Sequence, residues 1–262
     1  MDNNTLRVIV LAAGQGTRLR PHTNEKPKCL VELCGKSLVD YQLDAFKRAG
    51  VSDITLIAGY KEDKLVRNGV KKILNPEYAS TNMVNTLMCA KELFDGSCDV
   101  LITYGDIVYE QRILDSILAA KGDICLTIDK EWKRLWSLRM DNPLNDAETL
   151  KLEGDLIKEL GKKPNSYDEI QGQYMGLIKV SANKAKEFVE TWEAMDRDVQ
   201  YDGNDFDNMY LTSFIQYLIN SGWPVKAVLV QNGWLEIDTV EDLEFYEQMI
   251  RSSNRKELFS IR

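Results

Sequence analysis

One segment near the start of the chain limits the possible folds more than any other. Residues 6–12 are a run of mostly apolar residues, and a polar, glycine-bearing stretch, residues 14–27, follows almost at once. Such an apolar run is typical of a strand that is buried on both faces of a parallel sheet. A glycine loop directly after this strand exposes backbone N–H groups, which suit phosphate oxygens. The segment therefore predicts a parallel sheet with a phosphate-binding loop at its edge.

Apolar runs and amphipathic segments alternate along most of the chain, which favours an α/β fold. We predict a Rossmann-like, mostly parallel mixed sheet that is flanked by helices and forms a single domain over residues 1–262. The predicted strands are residues 6–12, 54–58, 70–74, 99–103, 123–128, 174–180 and 225–230. The predicted helices are residues 37–49, 82–94, 111–120, 183–195, 205–220 and 240–250.

The alternation breaks between residues 129 and 172. This stretch contains Trp132 and Trp136, a polar loop, and two short candidate strands at residues 148–152 and 156–160. We interpret it as a small β-containing insertion that forms an acceptor platform or a lid.

The composition of the chain disfavours several classes of function. The chain has 33 basic and 41 acidic residues, a net charge of −8, so binding to nucleic acid or to an anionic membrane is not expected. The five cysteines form no CxxC pair, which favours reduced thiols and a cytoplasmic protein. The single histidine, His22, disfavours a Ser-His-Asp hydrolase. A homo-oligomer is compatible with the sequence.

The glycine loop does not fit two common phosphate-binding motifs. A dinucleotide fingerprint requires a third glycine at the position of Leu19, and a P-loop requires a Gly-Lys-Ser/Thr sequence that is absent here. A GxG pair alone is also compatible with an ordinary tight turn. The neighbouring Arg18, Pro21, Pro27 and Lys28 make the pattern more specific.

The sequence LAAGQGTRL, followed by Lys26-Pro27-Lys28, resembles the signature of nucleotidyltransferases. That family includes sugar-1-phosphate nucleotidylyltransferases and small-metabolite cytidylyltransferases. The resemblance implies that the loop holds the base and triphosphate, and that Arg18 and Lys28 act as catalytic cations on the phosphates. The nucleotide-binding residues it implies are Leu11, Ala12, Ala13, Gly14, Gln15, Gly16, Thr17, Asn82, Tyr104 and Gly105.

Two aspartates complete the resemblance. Asp106 follows a predicted strand, where a carboxylate at the carboxyl end faces the ligand crevice, and Asp238 precedes the last helix. In the family, two such aspartates hold Mg²⁺ against the α-phosphate. From the residues alone, Asp106 is also compatible with a turn and Asp238 with a helix N-cap.

The length and the ending around residues 234–243 resemble the compact cytidylyltransferases, which implies CTP as the nucleotide. The insertion resembles that of cytidylyltransferases found with phosphonate pathways and with phosphoramidate capsule modification. The resemblance implies transfer of CMP from CTP to a phosphate or phosphonate oxygen, with phosphoglutamine or an alkylphosphonate as the acceptor and pyrophosphate as the leaving group. The alternatives are a sugar-1-phosphate nucleotidylyltransferase and a non-catalytic nucleotide-sensing module.

We expect the acceptor to contact the insertion and its surroundings. The tryptophans would form an apolar wall, and Glu148 or Glu169 would meet an ammonium. A carboxylate would be met by Arg134, Arg139 and Lys162. A packing stripe of tryptophans and solvated surface charges is the alternative. The predicted acceptor-binding residues are Trp132, Trp136, Arg139, Glu148, Lys162, Gln173, Tyr174 and Glu236.

Overall fold

The computed structural model describes residues 6–252 and 258–260. The strands are β1 (Arg7–Ala12), β2 (Glu32–Leu33), β3 (Lys36–Ser37), β4 (Asp53–Ala58), β5 (Lys71–Leu74), β6 (Val100–Tyr104), β7 (Ile107–Tyr109), β8 (Ile124–Asp129), β9 (Leu150–Glu153), β10 (Leu156–Leu160), β11 (Gln173–Val180), β12 (Val225–Val230) and β13 (Trp234–Glu236). The α-helices are α1 (Leu38–Arg48), α2 (Met83–Met88), α3 (Gln111–Ala119), α4 (Trp132–Arg139), α5 (Ala182–Glu193), α6 (Leu211–Asn220) and α7 (Val240–Ser252).

A nine-stranded sheet in the order β5-β4-β1-β6-β11-β8-β12-β10-β9 forms the centre of the molecule. The first four of these strands are parallel, and β11 runs antiparallel to β6 and β8. Leu11 of β1 lies opposite Tyr104 of β6, so the carboxyl ends of these strands meet at one edge. Ligands of open α/β sheets bind at this edge. The predicted mostly parallel mixed sheet is confirmed.

Helices cover both faces of the sheet. In β1, Val8 and Val10 belong to one apolar core and Ile9 belongs to the other, as the alternation of a strand requires. Helices α1, α3, α4 and α7 contribute to the first core, and α2, α5 and α6 to the second. Within the described ranges, no helix has the length and apolar character needed to cross a bilayer.

Residues 129–172 extend the sheet at one edge. Strand β10 pairs antiparallel with β12, and β9 pairs with β10. The predicted strand at residues 148–152 begins at Leu150 instead, because the backbone of Glu148 is bonded by a side chain. Gln173 Oε1 accepts from the backbone N–H of Glu148 at 3.0 Å, and Gln173 Nε2 donates to the carbonyl of Glu148 at 2.6 Å.

Two predicted helices are shorter than expected. Helix α2 ends at Met88, and the predicted first turns of α6, residues 205–210, form a loop. Asp205 Oδ1 accepts from the backbone N–H of Asn208 at 2.9 Å. Such local bonds between side chain and backbone compete with helical hydrogen bonds. The loop is also tied to the start of α2, since the Asn82 N–H donates to the Asp207 carbonyl at 3.0 Å.

A buried carboxylate joins the start of the insertion to residues 232–234, where β13 begins. Asp129 is 0% exposed and ends β8. It accepts hydrogen bonds from the backbone N–H groups of Glu131 and Asn232, both at 2.9 Å, and from the indole N–H of Trp234 at 3.0 Å. Three donors from two distant stretches of chain therefore depend on one side chain.

We predict that Asp129→Ala lowers the free energy of unfolding by about 3 kcal/mol, because each orphaned buried donor costs roughly 1–3 kcal/mol. Urea denaturation followed by circular dichroism measures this change. The control is Asp155→Ala, whose side chain is 65% exposed in an ion pair with Lys226 and should change stability by less than about 0.5 kcal/mol. A loss at Asp129 as small as that of the control would contradict the prediction.

Candidate active site

The glycine loop leaves β1 and turns back at Gly16, whose φ of 62° and ψ of 47° are left-handed and cost glycine little. The carbonyl of Gly16 accepts hydrogen bonds from the Leu19 N–H at 2.9 Å and the Thr23 hydroxyl at 2.7 Å. The carbonyl of Gly14 accepts from the backbone N–H of Lys28 at 3.4 Å. These bonds hold the chain up to Lys28 against the carboxyl end of β1.

A cavity of about 280 Å³ opens beside this loop, close to the lower size of small-molecule sites. It lies between the glycine loop, the end of β6 and the start of α2. Asn82 caps α2, and its side-chain oxygen accepts from the Met83 N–H at 2.8 Å. The first cavity is lined by Leu11, Ala13, Gly14, Gly16, Thr17, Arg18, Lys28, Tyr78, Thr81, Asn82, Met83, Thr86, Tyr104, Asp106 and Asp238.

Three of the residues predicted for nucleotide binding, Ala12, Gln15 and Gly105, are not part of this lining. Gly105 has a different role, because a Cβ at its position would come within 2.6 Å of the Leu11 carbonyl oxygen. Its N–H donates to that oxygen at 2.9 Å. The missing side chain therefore lets the segment that carries Asp106 approach the end of β1. Lining residues that the sequence did not indicate, such as Tyr78 and Thr86, lie outside the glycine-loop motif.

A short ladder brings the two predicted metal-binding aspartates together. Strands β7 and β13 pair antiparallel, with Ile107 opposite Glu236. The Ile237 N–H donates to the Asp106 carbonyl at 3.2 Å. One carboxylate oxygen from each of Asp106, Glu236 and Asp238 lies within 4.8 Å of the others. Sequence reasoning placed Glu236 with the acceptor, and the structure also places it beside the aspartates.

Cations from the glycine-loop motif contact these carboxylates. The Lys28 ammonium donates to Asp106 Oδ2 at 2.6 Å and also to Asp238 Oδ1. Arg18 Nη2 lies 3.2 Å from Asp238 Oδ1. The second oxygen of Asp106 is buried and has no hydrogen-bond partner among the residues that the structure describes. Carboxylate oxygens are preferred ligands of Mg²⁺, so the donor set fits a divalent cation of this kind.

Burial and charge both act on these groups. Burial lowers the pKa of Lys28, but the charges of Asp106 and Asp238 outweigh burial and raise that pKa. Burial also raises the pKa of Glu236 well above its usual value, and the same two aspartates raise it further. For Asp238, burial acts to raise the pKa, yet contact with Lys28 lowers it overall. Lys28 therefore remains charged and stabilises the ionised form of Asp238.

A second cavity, of about 220 Å³, adjoins the first, and both are lined by Met83, Tyr104 and Asp238. Its walls are aromatic and acidic. Trp136 donates its indole N–H to Asp146 at 2.9 Å, and the rings of Tyr104 and Tyr174 meet edge to face at 5.8 Å. The second cavity is lined by Met83, Tyr104, Trp136, Asp146, Glu148, Gln173, Tyr174, Met175, Gly176, Tyr210, Thr212, Trp234, Glu236 and Asp238.

Five of the residues predicted to bind the acceptor lie together in the lining of the second cavity: Trp136, Glu148, Gln173, Tyr174 and Glu236. Their role in acceptor binding stays a prediction. Asp146, Tyr210 and Trp234 join them without having been singled out in the sequence. Trp234 stands in the same short segment as Glu236, and this proximity was an available signal.

The other three predicted acceptor residues do not line this cavity. Lys162 is half exposed and pairs with Glu159 at 2.9 Å. Trp132 is 4% exposed and packs against Trp136, with ring centroids 5.8 Å apart. Arg139 forms an ion pair with Asp242 of α7 and lines a neighbouring cavity. Glu169, the second carboxylate considered for an ammonium, accepts instead from the Asn165 backbone N–H at 2.7 Å.

Comparison with known proteins identifies the family. Residues 8–163 match the MobA-like NTP transferase domain, which is more than half of the chain. The chain belongs to the MobA-like NTP transferase family. This nucleotidyltransferase is 44% identical over 249 residues to the CTP:phosphoglutamine cytidylyltransferase of Campylobacter jejuni, with 91% of this chain and 98% of that protein covered.

Solved structures share the fold of this nucleotidyltransferase. CTP:phosphocholine cytidylyltransferase from Streptococcus pneumoniae has a TM-score of 0.69 at 20% identity, covering 94% of this chain and 99% of that one. Inositol-1-phosphate CTP transferase from T. maritima has a TM-score of 0.70 at 24% identity, covering 98% and 99%. The predicted fold class and the predicted resemblance to small-metabolite cytidylyltransferases are confirmed.

We predict that Gly16→Ala lowers the rate of nucleotidyl transfer by roughly 10- to 100-fold, because a small misplacement of a catalytic group has effects of this size. An added Cβ would lie 2.9 Å from Lys28 Cβ and 3.1 Å from Thr23 Cγ2, so Lys28 would have to move. Steady-state pyrophosphate release measures the rate.

The matched control is Gly35→Ala. Gly35 also has a positive φ, of 82°, but its Cβ would meet open space. Both variants should lose some stability through backbone strain, and only Gly16→Ala should lose turnover. Equal rates in the two variants would contradict a role for the loop in placing Lys28.

Proposed function

We propose that this nucleotidyltransferase transfers CMP from CTP to the phosphate of a small acceptor that carries an ammonium group, with phosphoglutamine as the leading candidate. The observation that carries the proposal is the aromatic and acidic cavity that adjoins the carboxylate cluster. The 44% identical relative, a CTP:phosphoglutamine cytidylyltransferase, supports the same choice. An aminoalkylphosphonate would meet the same chemical requirement.

We assign the nucleotide to the first cavity. The triphosphate would contact the glycine loop, where exposed backbone N–H groups suit phosphate oxygens. Arg18 and Lys28 would neutralise its charge, and Asn82 and Tyr104 lie where the nucleoside would extend. Gly105 lets the end of β6 approach Leu11, which lines this cavity.

Asp106 and Asp238 are the proposed ligands of Mg²⁺. Bound there, the ion would supply charge neutralisation on the phosphates during the displacement. The clustered oxygens and the unpartnered oxygen of Asp106 support this assignment. Glu236 lies where the cluster meets the second cavity, so it also faces the acceptor.

The reaction needs no strong general base. The acceptor oxygen is already anionic near neutral pH, so it can attack the α-phosphorus directly. A new P–O bond forms as the bond to the β-phosphate breaks, and pyrophosphate leaves with the electron pair. Lys28 and Arg18 stabilise the developing charge, while the two cavities hold the reactants in line.

The charge of the second cavity corrects one expectation about the acceptor. Arg139 and Lys162 were expected to meet a carboxylate, but each is paired with an acidic side chain of the protein. No lysine or arginine is among the described residues that line the cavity, whereas Asp146 and Glu148 are. The cavity therefore favours a cation, and we propose that residues 129–172 act as the acceptor platform through Trp136, Asp146 and Glu148.

Phosphocholine is the second candidate acceptor. A quaternary ammonium binds well against aromatic faces, and Tyr104, Trp136 and Tyr174 line the cavity.

The single domain over residues 1–262, the cytoplasmic location and a homo-oligomer stay predictions.

We predict that, with CTP and Mg²⁺, phosphoglutamine gives a kcat/KM at least roughly 100-fold above that of glucose-1-phosphate, because polar groups in a site are left unpaired by an acceptor that lacks their partner. Pyrophosphate release with phosphoglutamine, 2-aminoethylphosphonate, phosphocholine and glucose-1-phosphate is the measurement. Asp106→Asn serves as the inactive control. A preference for glucose-1-phosphate would replace this proposal with a sugar-1-phosphate nucleotidylyltransferase.

The ionisation of Glu148 should control acceptor binding. Burial, and then the charges of Asp146 and Asp202, raise the pKa of Glu148 to about 7. Only the ionised form attracts an ammonium, so binding should strengthen as the pH rises through 7. The ionised fraction rises roughly tenfold between pH 6 and 8 for such a pKa, and we predict a fall of similar size in the KM for the acceptor.

Glu148→Gln is the control for this pH profile. It preserves shape but has no charge to gain, so its KM should be high and should retain only the pH dependence of the acceptor's own phosphate. Initial rates at fixed CTP between pH 6 and 8 give both profiles. Identical slopes in the two proteins would remove Glu148 from acceptor binding.

A further inference from the structure

A buried ion pair connects the insertion to the segment that carries Asp238. Arg139, at the end of α4, donates from Nε to Asp242 Oδ1 at 2.8 Å and from Nη2 to Asp242 Oδ2 at 3.1 Å. The side chains of Arg139 and Asp242 are only 4% and 9% exposed. This bidentate geometry fixes orientation as well as distance.

Asp242 also holds the backbone N–H groups on either side of the Asp238 Cα atom. Its Oδ2 accepts from the N–H of Asp238 at 3.2 Å and from the N–H of Thr239 at 3.1 Å. The Thr239 hydroxyl in turn accepts from the Asp242 N–H at 3.1 Å, as in a capping box at a helix start. The carboxylate of Asp242 thus forms the ion pair with Arg139 and also fixes the backbone of Asp238, whose side chain belongs to the acidic cluster.

Arg139 also contacts the wall of the second cavity. Its guanidinium lies 5.3 Å from the ring centroid of Trp136, one helical turn earlier in α4. Its remaining nitrogen, Nη1, is buried without a hydrogen-bond partner among the described residues. The side chain therefore stands between the acceptor wall and the capping carboxylate.

We propose that Arg139 and Asp242 are positioning residues that set the orientation of Asp238 and couple it to the acceptor wall. This inference rests on the proposed metal role of Asp238. A buried ion pair adds little net stability, because desolvation offsets much of the attraction. Its directional bonds instead fix the backbone of Asp238. Partners of metal ligands typically change metal affinity or activity by roughly 10- to 100-fold when they are altered.

Two conservative variants test the proposal. Asp242→Asn keeps the shape, but it removes the negative charge and puts an amide NH₂ group in place of one carboxylate oxygen. That group cannot accept the donors that the two oxygens accept now. Arg139→Lys keeps the charge but loses the forked geometry. The control is Arg7→Lys, which weakens an ion pair with Asp53 at the opposite end of β1.

The principal readout is Mn²⁺ affinity, measured by electron paramagnetic resonance with CTP present and acceptor absent. We expect Asp242→Asn and Arg139→Lys to weaken Mn²⁺ binding by about tenfold or more, and Arg7→Lys to leave it unchanged. Under saturating Mg²⁺, kcat should fall while the KM for CTP changes little. The double variant should bind Mn²⁺ no more weakly than Asp242→Asn, because Arg139 acts through Asp242.

Circular dichroism on the same samples gives the folded fraction, to which each affinity is referred. A lowered melting temperature with unchanged Mn²⁺ affinity and kcat in either variant would overturn the positioning role, since the pair would then be structural. If the two losses of Mn²⁺ affinity add in the double variant, Arg139 does not act through Asp242, and that part of the proposal would be overturned. If the unaltered protein with CTP binds no Mn²⁺, both the metal assignment and this inference fall, whereas a defect confined to the variants supports both.

Discussion

Asp106 and Asp238 carry like charges, and holding them side by side costs free energy that the rest of the fold must offset. The β7–β13 ladder fixes the two backbones, and the ammonium of Lys28 lies against both carboxylates. Lys28 can lie there because the glycine loop folds back over the end of β1. The glycine loop, the β7–β13 ladder and the capped start of α7 are thus separate local structures that together hold Lys28, Asp106 and Asp238 in contact.

Charge is distributed unevenly across the two cavities, and this asymmetry gives the site a direction. Arg18 and Lys28 balance Asp106 and Asp238 in the lining of the first cavity, whereas the described lining of the second cavity is acidic and contains no lysine or arginine. An acceptor with a phosphate at one end and an ammonium at the other fits this gradient in one orientation. In the proposed assignment of the two cavities, the reverse orientation would place the acceptor phosphate among the carboxylates of the second cavity and would be disfavoured.

The glycine loop, Lys28 and both aspartates could be predicted from the sequence because each stands in a local motif next to a strand or helix. The β7–β13 ladder could not, since three-residue strands carry little periodicity and their partners are far apart in the chain. Contacts between distant parts of the chain also explain why the predicted acceptor role of Arg139 and Lys162 had to be revised. Their charge is visible in the sequence, but the acidic side chains that engage them, Asp242 and Glu159, are revealed only by packing.

The two cavities are built from different parts of the chain. Most residues of the first precede β7, most residues of the second follow α3, and Tyr104, Met83 and Asp238 are common to both. Substitutions in the later stretch can therefore reshape the second cavity while most of the lining of the first stays intact. A lineage built on this plan can acquire new acceptors by changing a few wall residues, without having to reinvent its way of handling a nucleotide.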